Sequence, residues 1–232
     1  MRALVTGAAG GIGSAIANSF EAEGHEVARH DLRPSPTLVA VGDLLDPDAL
    51  EEIGALVDSE DIDCVVAAHG LAGAGALPTI SQREIFTIMK VNTISVLRLY
   101  ERVRAALVER NGVLVTVSSQ AGLVGEAGNA IYSASKFALV GWSRAVSRTP
   151  GAPRMRVVCP GMINTPLLVD AFEQMAADSG VSFDDVLSSR LEHVPAGRLG
   201  EPAEIGRAVT WLAELTTPAC VVAAVTGGEI LF

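Results

Sequence analysis

The chain has 232 residues, 49% of them apolar, with 23 glycines, a formal net charge of -10 and a sequence pI of about 4.8. That length suits one sizeable core, and the composition suits a compact globule rather than a disordered chain. The acidic balance argues against nucleic acid as a partner, because such binding draws on clustered Lys and Arg; the nearest cluster, Arg102, Arg104 and Arg110, is interrupted by Glu101 and Glu109 and reads as a solvated helix face.

Cys64, Cys159 and Cys220 stand far apart in apolar runs. This suits buried thiols in a reducing compartment better than a disulfide framework or a metal site. A strand-like run begins by Ala3 and no apolar stretch reaches spanning length, so the expectation is a cytoplasmic protein with no targeting segment and no membrane contact.

The first strand-like run, ALVT at 3–6, leads directly into TGAAGGIG at 6–13 and then into a helical stripe of Ile12, Ile16 and Phe20. Gly7, Gly11 and Gly13, with Ile12 between them, allow a tight turn and close backbone approach to a pyrophosphate at a helix N-terminus. A loop of glycines for chain reversal only is the bland alternative. EVARH at 26–30 reads as the second strand, ending at Asp31, whose carboxylate suits the ribose hydroxyls of NAD and repels the 2′-phosphate of NADP. Arg29 and Arg33 flank it and would instead welcome that phosphate, and Asp31 would equally serve as a loop cap beside Pro34. TLVAV at 37–41 reads as a strand ending near Asp43, which either bonds the adenine edge or caps the next turn.

Asp46-Pro47 opens a helix through Val57, DCVVAA at 63–68 reads as a strand, and Ser81 caps a helix running to about Glu109. GVLVTV at 112–117 then carries Ser118 and Ser119 at its carboxyl end, the edge of a parallel sheet where ligands bind; Ser119 can donate to a substrate carbonyl oxygen or merely cap a turn. If 131–147 is helical, Tyr132 and Lys136 share a face at i and i+4, close enough for the ammonium to favour the phenolate. Tyr132 then exchanges a proton with an alcohol or ketone as hydride moves to or from the cofactor. A hydrolase is disfavoured, since the histidines at 25, 30, 69 and 193 occupy no recognisable motif. MRVVC at 155–159 reads as a strand, 164–200 as an irregular excursion of the kind that forms a lid or binding loop, and Pro202 opens a helix ending near Leu215.

Strands apolar on both faces, alternating with helices, require a Rossmann-type doubly wound parallel sheet with helices on both sides, in a single α/β domain spanning 1–232. Pocket walls are expected from Leu71 to Leu77, Gln120 to Gly125, Asn129 and Ile131, and Met162 to Met175. Their apolar members, Leu123, Val124, Ile131, Met162, Leu167, Leu168 and Phe172, favour an apolar, cyclic or aryl-bearing alcohol over a free sugar, although the spacing of 167, 168, 171, 172 and 175 equally suits a core-facing stripe.

The chain resembles the short-chain dehydrogenase/reductase family in its short single-domain branch. The resemblance lies in TGAAGGIG (6–13), Asp43, KVN (90–92), SS (118–119), YSASK (132–136), PGMINTP (160–166) and GRLGEP (197–202), in the family's order over nearly the whole chain. It implies Tyr132 as general acid/base, Lys136 lowering its pKa and binding the nicotinamide ribose, Ser119 holding the substrate oxygen, and Asn92 interrupting its helix and anchoring a proton-relaying water. Pro160, Gly161, Ile163 and Thr165 would line the nicotinamide. A homotetramer or homodimer is implied in the same way.

Three features depart from the pattern. Ala67-Ala68-His69-Gly70 stands where the family has Asn-Asn-Ala-Gly; Gly70 is expected against the cofactor, and His69 either compensates structurally, the favoured reading, or faces the cleft. TGGEILF (226–232) resembles the family's last strand but lacks the Asp-Gly-Gly that usually follows, which would alter subunit contacts. Gly7, Gly10 and Gly13 also fit the G-x-x-G-x-x-G of the extended branch, whose larger substrate domain the chain has little room for. The expected activity is NAD-linked, reversible oxidation of a secondary alcohol. Its rivals are a non-catalytic NAD-binding regulator and an epimerase or dehydratase that uses NAD transiently.

Overall fold

Alternate residues of the first strand set the layers in the computed structural model, which describes residues 1–72 and 80–230. In β1 (Arg2–Thr6), Ala3 and Val5 share a core with Ile16 and Phe20 of α1 (Gly11–Ala22) and with Ile205, Val209 and Leu212 of α8 (Pro202–Glu214). Leu4 enters the opposite core with Ile53 of α2 (Pro47–Ser59), Leu99 and Val103 of α4 (Ser95–Glu109) and Leu139 of α5 (Ala130–Val146). The sheet continues through β2 (Glu26–Asp31), β3 (Ala40–Val41), β4 (Cys64–Ala67), β5 (Val113–Val117), β6 (Arg154–Pro160) and β7 (Val221–Val225). Its order is β3-β2-β1-β4-β5-β6-β7, with every pair parallel. This is the single-domain, doubly wound Rossmann-type sandwich, and the order reverses between β1 and β4, where such sheets bind ligands beyond their strand ends.

Several boundaries differ from the sequence expectation. β3 covers only Ala40 and Val41 rather than 37–41, so Asp43 lies two residues beyond it. The last strand is VVAAV at 221–225, not TGGEILF: Gly227 and Gly228 take φ of +65° and +91°, which ends the extended run, while 231–232 lie outside the described residues. The helix opened by Ser81 is three pieces: α3 (Gln82–Met89), a π turn over Lys90–Ile94, and α4. The excursion at 164–200 contains α6 (Pro166–Ser179) and α7 (Phe183–Leu191). Its neck is pinched where the Asn164 N–H donates to the Gly200 carbonyl (2.8 Å) and the Gly200 N–H to that of Met162 (2.9 Å).

Arg156 on β6 is fully buried, and its guanidinium donates to the carbonyls of Leu212, Leu215, Thr217 and Ala219, tying the α8–β7 connection to the sheet. Among the described residues, no helix is long and apolar enough to cross a membrane.

Candidate active site

Backbone contacts build the phosphate end. Gly7 has φ of +71°, and a methyl group there would lie 2.7 Å from the His69 backbone; one at Gly13 would overlap the Gly7 carbonyl oxygen. Only hydrogen at both positions lets the loop, the start of α1 and the segment after β4 pack this closely. Gly10 caps α1 with no side-chain hydrogen bond, and the first turn has no acidic residue. The N–H groups of Gly11, Ile12 and Gly13 are thus open to an anion, and the donor set fits the pyrophosphate of a dinucleotide. Gly11 abuts Thr165, where a methyl group would lie 2.9 Å from Cγ2, so the loops after β1 and β6 meet.

Asp31, at the end of β2, is buried. Its Oδ2 accepts from the Ala9 N–H (2.9 Å) and Oδ1 from the Arg33 N–H (3.1 Å), so it braces the glycine loop as well as standing at the ribose position. Arg29 is committed elsewhere, donating to Glu21 (2.7 Å) and Asn18 (2.8 Å), whereas Arg33 is exposed. Asp43 is exposed and its Oδ1 accepts from the Leu45 N–H (2.9 Å), the geometry of the turn cap.

His69 joins three elements. Nδ1 lies 2.7 Å from Thr6 Oγ1 and Nε2 lies 2.7 Å from Ser95 Oγ, while Ser95 donates onward to the Val91 carbonyl (2.6 Å). Burial first, and the Lys136 ammonium second, hold the imidazole down to about 3, so it is neutral with one N–H. Ser95 donates at 2.6 Å to the Val91 carbonyl, whereas the Thr6 hydroxyl is 3.3 Å from the Val66 carbonyl and 2.7 Å from Nδ1; the shorter contacts place the N–H on Nε2, toward Ser95, with Nδ1 accepting from Thr6. The geometry is that of the structural reading, with hydroxyls of β1 and α4 taking both ring nitrogens.

At the reacting end, β5 and α5 bring Ser119, Tyr132 and Lys136 together. The Ser118 hydroxyl donates to the Lys136 carbonyl (2.9 Å), and Lys136 Nζ donates to the Val117 carbonyl (3.1 Å) and lies 5.7 Å from the Tyr132 ring centre. Burial brings the Lys136 ammonium down to about 8. Burial also pushes the Tyr132 phenol above its ordinary value; the Ser119 hydroxyl acts against this and the Glu126 charge adds to it. The sequence reading has Lys136 lowering the phenol's pKa; in the protein alone burial sets the direction upward, and it is the Ser119 hydroxyl that opposes it.

Asn92 sits in the π turn and is fully buried. Its amide accepts from the Leu71 N–H (2.7 Å) and donates to the Leu71 carbonyl (3.1 Å) and to Ser135 Oγ (3.2 Å), while Thr93 Oγ1 donates to the Ser135 carbonyl (3.0 Å). Gly70 lies in the same corner, where a methyl group would come 3.2 Å from Asn92 Oδ1 and 3.4 Å from Lys136 Nζ. Pro160 ends β6, the Gly161 N–H donates to the Val225 carbonyl (2.9 Å), and Ile163 and Thr165 are buried beside it.

The proposed pocket walls divide. Val124 and Leu167 are exposed and Met162 and Leu168 half-buried, whereas Gln120 is buried. Phe172 is core, stacked obliquely on Phe183 at 6.4 Å, so the helix buries this residue and leaves Leu167 and Met175 open. Residues 73–77 of the Leu71–Leu77 wall lie outside the described residues. Sequence reasoning missed Glu126, which lies close to Tyr132; its signal was a carboxylate six residues before the tyrosine in an otherwise uncharged segment.

The fold and this constellation define a nicotinamide-dependent oxidoreductase of the Rossmann class. Residues 7–227 match the family model described as enoyl-(acyl carrier protein) reductase. The chain is 32% identical over 228 residues to the 3-oxoacyl-(acyl-carrier-protein) reductase of Escherichia coli (strain K12), covering 91% of this chain and 88% of that protein. Among solved structures, the aldohexose dehydrogenase of Thermoplasma acidophilum is similar at a TM-score of 0.87 and 26% identity, over 98% of this chain and 93% of that one. An actinorhodin polyketide ketoreductase with NADPH is similar at a TM-score of 0.88 and 28% identity, over 98% and 96%. The chain belongs to the short-chain dehydrogenase/reductase family.

Proposed function

We propose that the protein reversibly oxidises a secondary alcohol to a ketone with NAD, and that Tyr132 is the acid/base. The observation that carries this is the convergence of Ser119, Tyr132 and a buried Lys136 beside the open helix N-terminus of the glycine loop. The bound nicotinamide supplies the hydride acceptor or donor. Ser119 Oγ holds the substrate oxygen, and the Tyr132 hydroxyl takes the alcohol proton or returns it to the ketone. Lys136 holds the ribose and favours the phenolate, and Asn92 keeps the Leu71 backbone and the base of α5 in place and anchors the relaying water.

Gly7, Gly11, Ile12, Gly13, Asp31, Asp43, Gly70, Pro160, Gly161, Ile163 and Thr165 hold the cofactor in this reading. Asp31 supports NAD, and Arg29 does not oppose it because Glu21 and Asn18 already hold its guanidinium. The open side chains of Val124 and Leu167 support an apolar, cyclic or aryl-bearing substrate beneath a lid at 164–200. The active form is a homodimer or homotetramer. A second reading, reduction of a 3-oxoacyl group with NADPH, draws on the relatives' names and on the exposed Arg33 next to Asp31.

The test is NADH formation from a panel of secondary alcohols, run beside NADP and beside Tyr132→Phe. Turnover preferring NAD, with a loss of at least about 100-fold in the variant, is the expected result. Preference for NADP would favour the second reading, and equal rates in parent and variant would remove Tyr132 from the chemistry.

A further inference from the structure

Gln120, next to Ser119, is buried, and its Nε2 donates to Glu126 Oε1 (3.3 Å). Asn129 Nδ2 donates to the other carboxylate oxygen, Oε2 (3.2 Å). The Glu126 N–H donates to Ser133 Oγ (3.2 Å), which fixes the loop against the residue following Tyr132. Two amides therefore converge on one carboxylate at the mouth of the reacting site.

The arrangement comes at the expense of another group. Among the described residues Gln120 Oε1 is buried with no hydrogen-bond partner, packed where a methyl group on Gly161 would lie 2.9 Å away. Reversing the amide would set oxygen against oxygen at Glu126, so holding the carboxylate takes precedence over satisfying the carbonyl. Among the described residues, the ion pairs do not include Glu126. Among these residues its side-chain partners are the two amide donors, and it lies close to Tyr132, in a chain of net charge -10.

We infer that Glu126, held by Gln120 and Asn129, is a specificity-determining residue that selects substrates bearing a hydrogen-bond donor, a hydroxyl or an ammonium, beside the reacting carbinol carbon. The inference rests on the alcohol–ketone reading of the site. A neighbouring donor completes the carboxylate's hydrogen bonding, and a neighbouring carboxylate is repelled. The apolar walls then hold the rest of the molecule.

The experiment compares cyclohexanol, trans-1,2-cyclohexanediol, 2-aminocyclohexanol and 2-hydroxycyclohexanecarboxylate as substrates for the parent protein and for Glu126→Gln, by kcat/KM with NAD. The parent is expected to favour the diol or the amino alcohol over cyclohexanol by about tenfold or more, with the carboxylate poorest. Which of the two donors leads tells hydroxyl from ammonium. Glu126→Gln is expected to reduce that ratio by about tenfold and to raise relative use of the carboxylate. Glu126→Asp, which withdraws the carboxylate, gives the same loss of ratio if the glutamine variant does not fold.

Unchanged ratios in the variants, or an equal loss on all four substrates, overturn the inference while the parent's turnover keeps the alcohol reading. A parent that binds NAD but turns over nothing overturns that reading, and this inference with it.

Discussion

Burial strips water from the Lys136 ammonium and brings its pKa down to about 8, leaving the Val117 carbonyl as its hydrogen-bond partner among the described residues. The folded value lies below that of the unfolded chain, near 10.4, so the unfolded chain holds more protons between the two and stability rises with pH across that window. Below about pH 8 the protein bears the whole penalty, of order 3 kcal/mol. Lys136→Met is therefore expected to raise the unfolding free energy at pH 7 by roughly 1 to 3 kcal/mol, while abolishing alcohol oxidation. Urea unfolding measures it, and a midpoint that stays or falls would mean the ammonium is well solvated. The stretch YSASK placed this pair on one helical face because i and i+4 are neighbours in any α-helix. The pKa directions were not legible there, since they depend on the walls that β5 and the π turn build around the side chains.

Three elements meet at His69, and their joint stability carries a pH signature. The imidazole is held down to about 3, against an unfolded value near 6.5, so only the unfolded chain takes up the proton as the solution is acidified. Stability from this group is complete above about pH 6.5 and is lost as the pH falls toward 3, by a few kcal/mol in all. His69→Gln, which keeps one donor and one acceptor between Thr6 and Ser95, is expected to flatten the decline in melting temperature between pH 6.5 and 4. An unchanged slope would pass the effect to His30, whose imidazole burial also lowers. At this scale the strand and helix periods were readable, and Ser81 marked its helix start correctly with a capping box to Glu84. The π turn was not visible in the period itself. It arises where the buried Asn92 amide bonds Leu71 and Ser135, both on other elements.

At the scale of the whole molecule, the fully buried Arg156 of β6 ties the α8–β7 connection to the sheet. Arg156→Met would leave the carbonyls of Leu212, Leu215, Thr217 and Ala219 without this donor, a loss of about 3 kcal/mol or more. Denaturant unfolding should register it, together with faster amide exchange in α8 and β7; an unaltered midpoint would mean that water replaces the guanidinium. The sequence by itself determined the alternation of strands and helices, the glycine turn, and the spacing of Ser119, Tyr132 and Lys136. These follow from short-range rules: a period of two or 3.6, the torsions open to glycine, and one helical turn. Only the tertiary structure decided that VVAAV is the last strand, that Phe172 is core while Leu167 is open, that Asp31 braces Ala9, and that the Gln120 and Asn129 amides hold the Glu126 carboxylate. Each depends on which distant surfaces meet, and contacts between residues far apart in the chain leave no period along it.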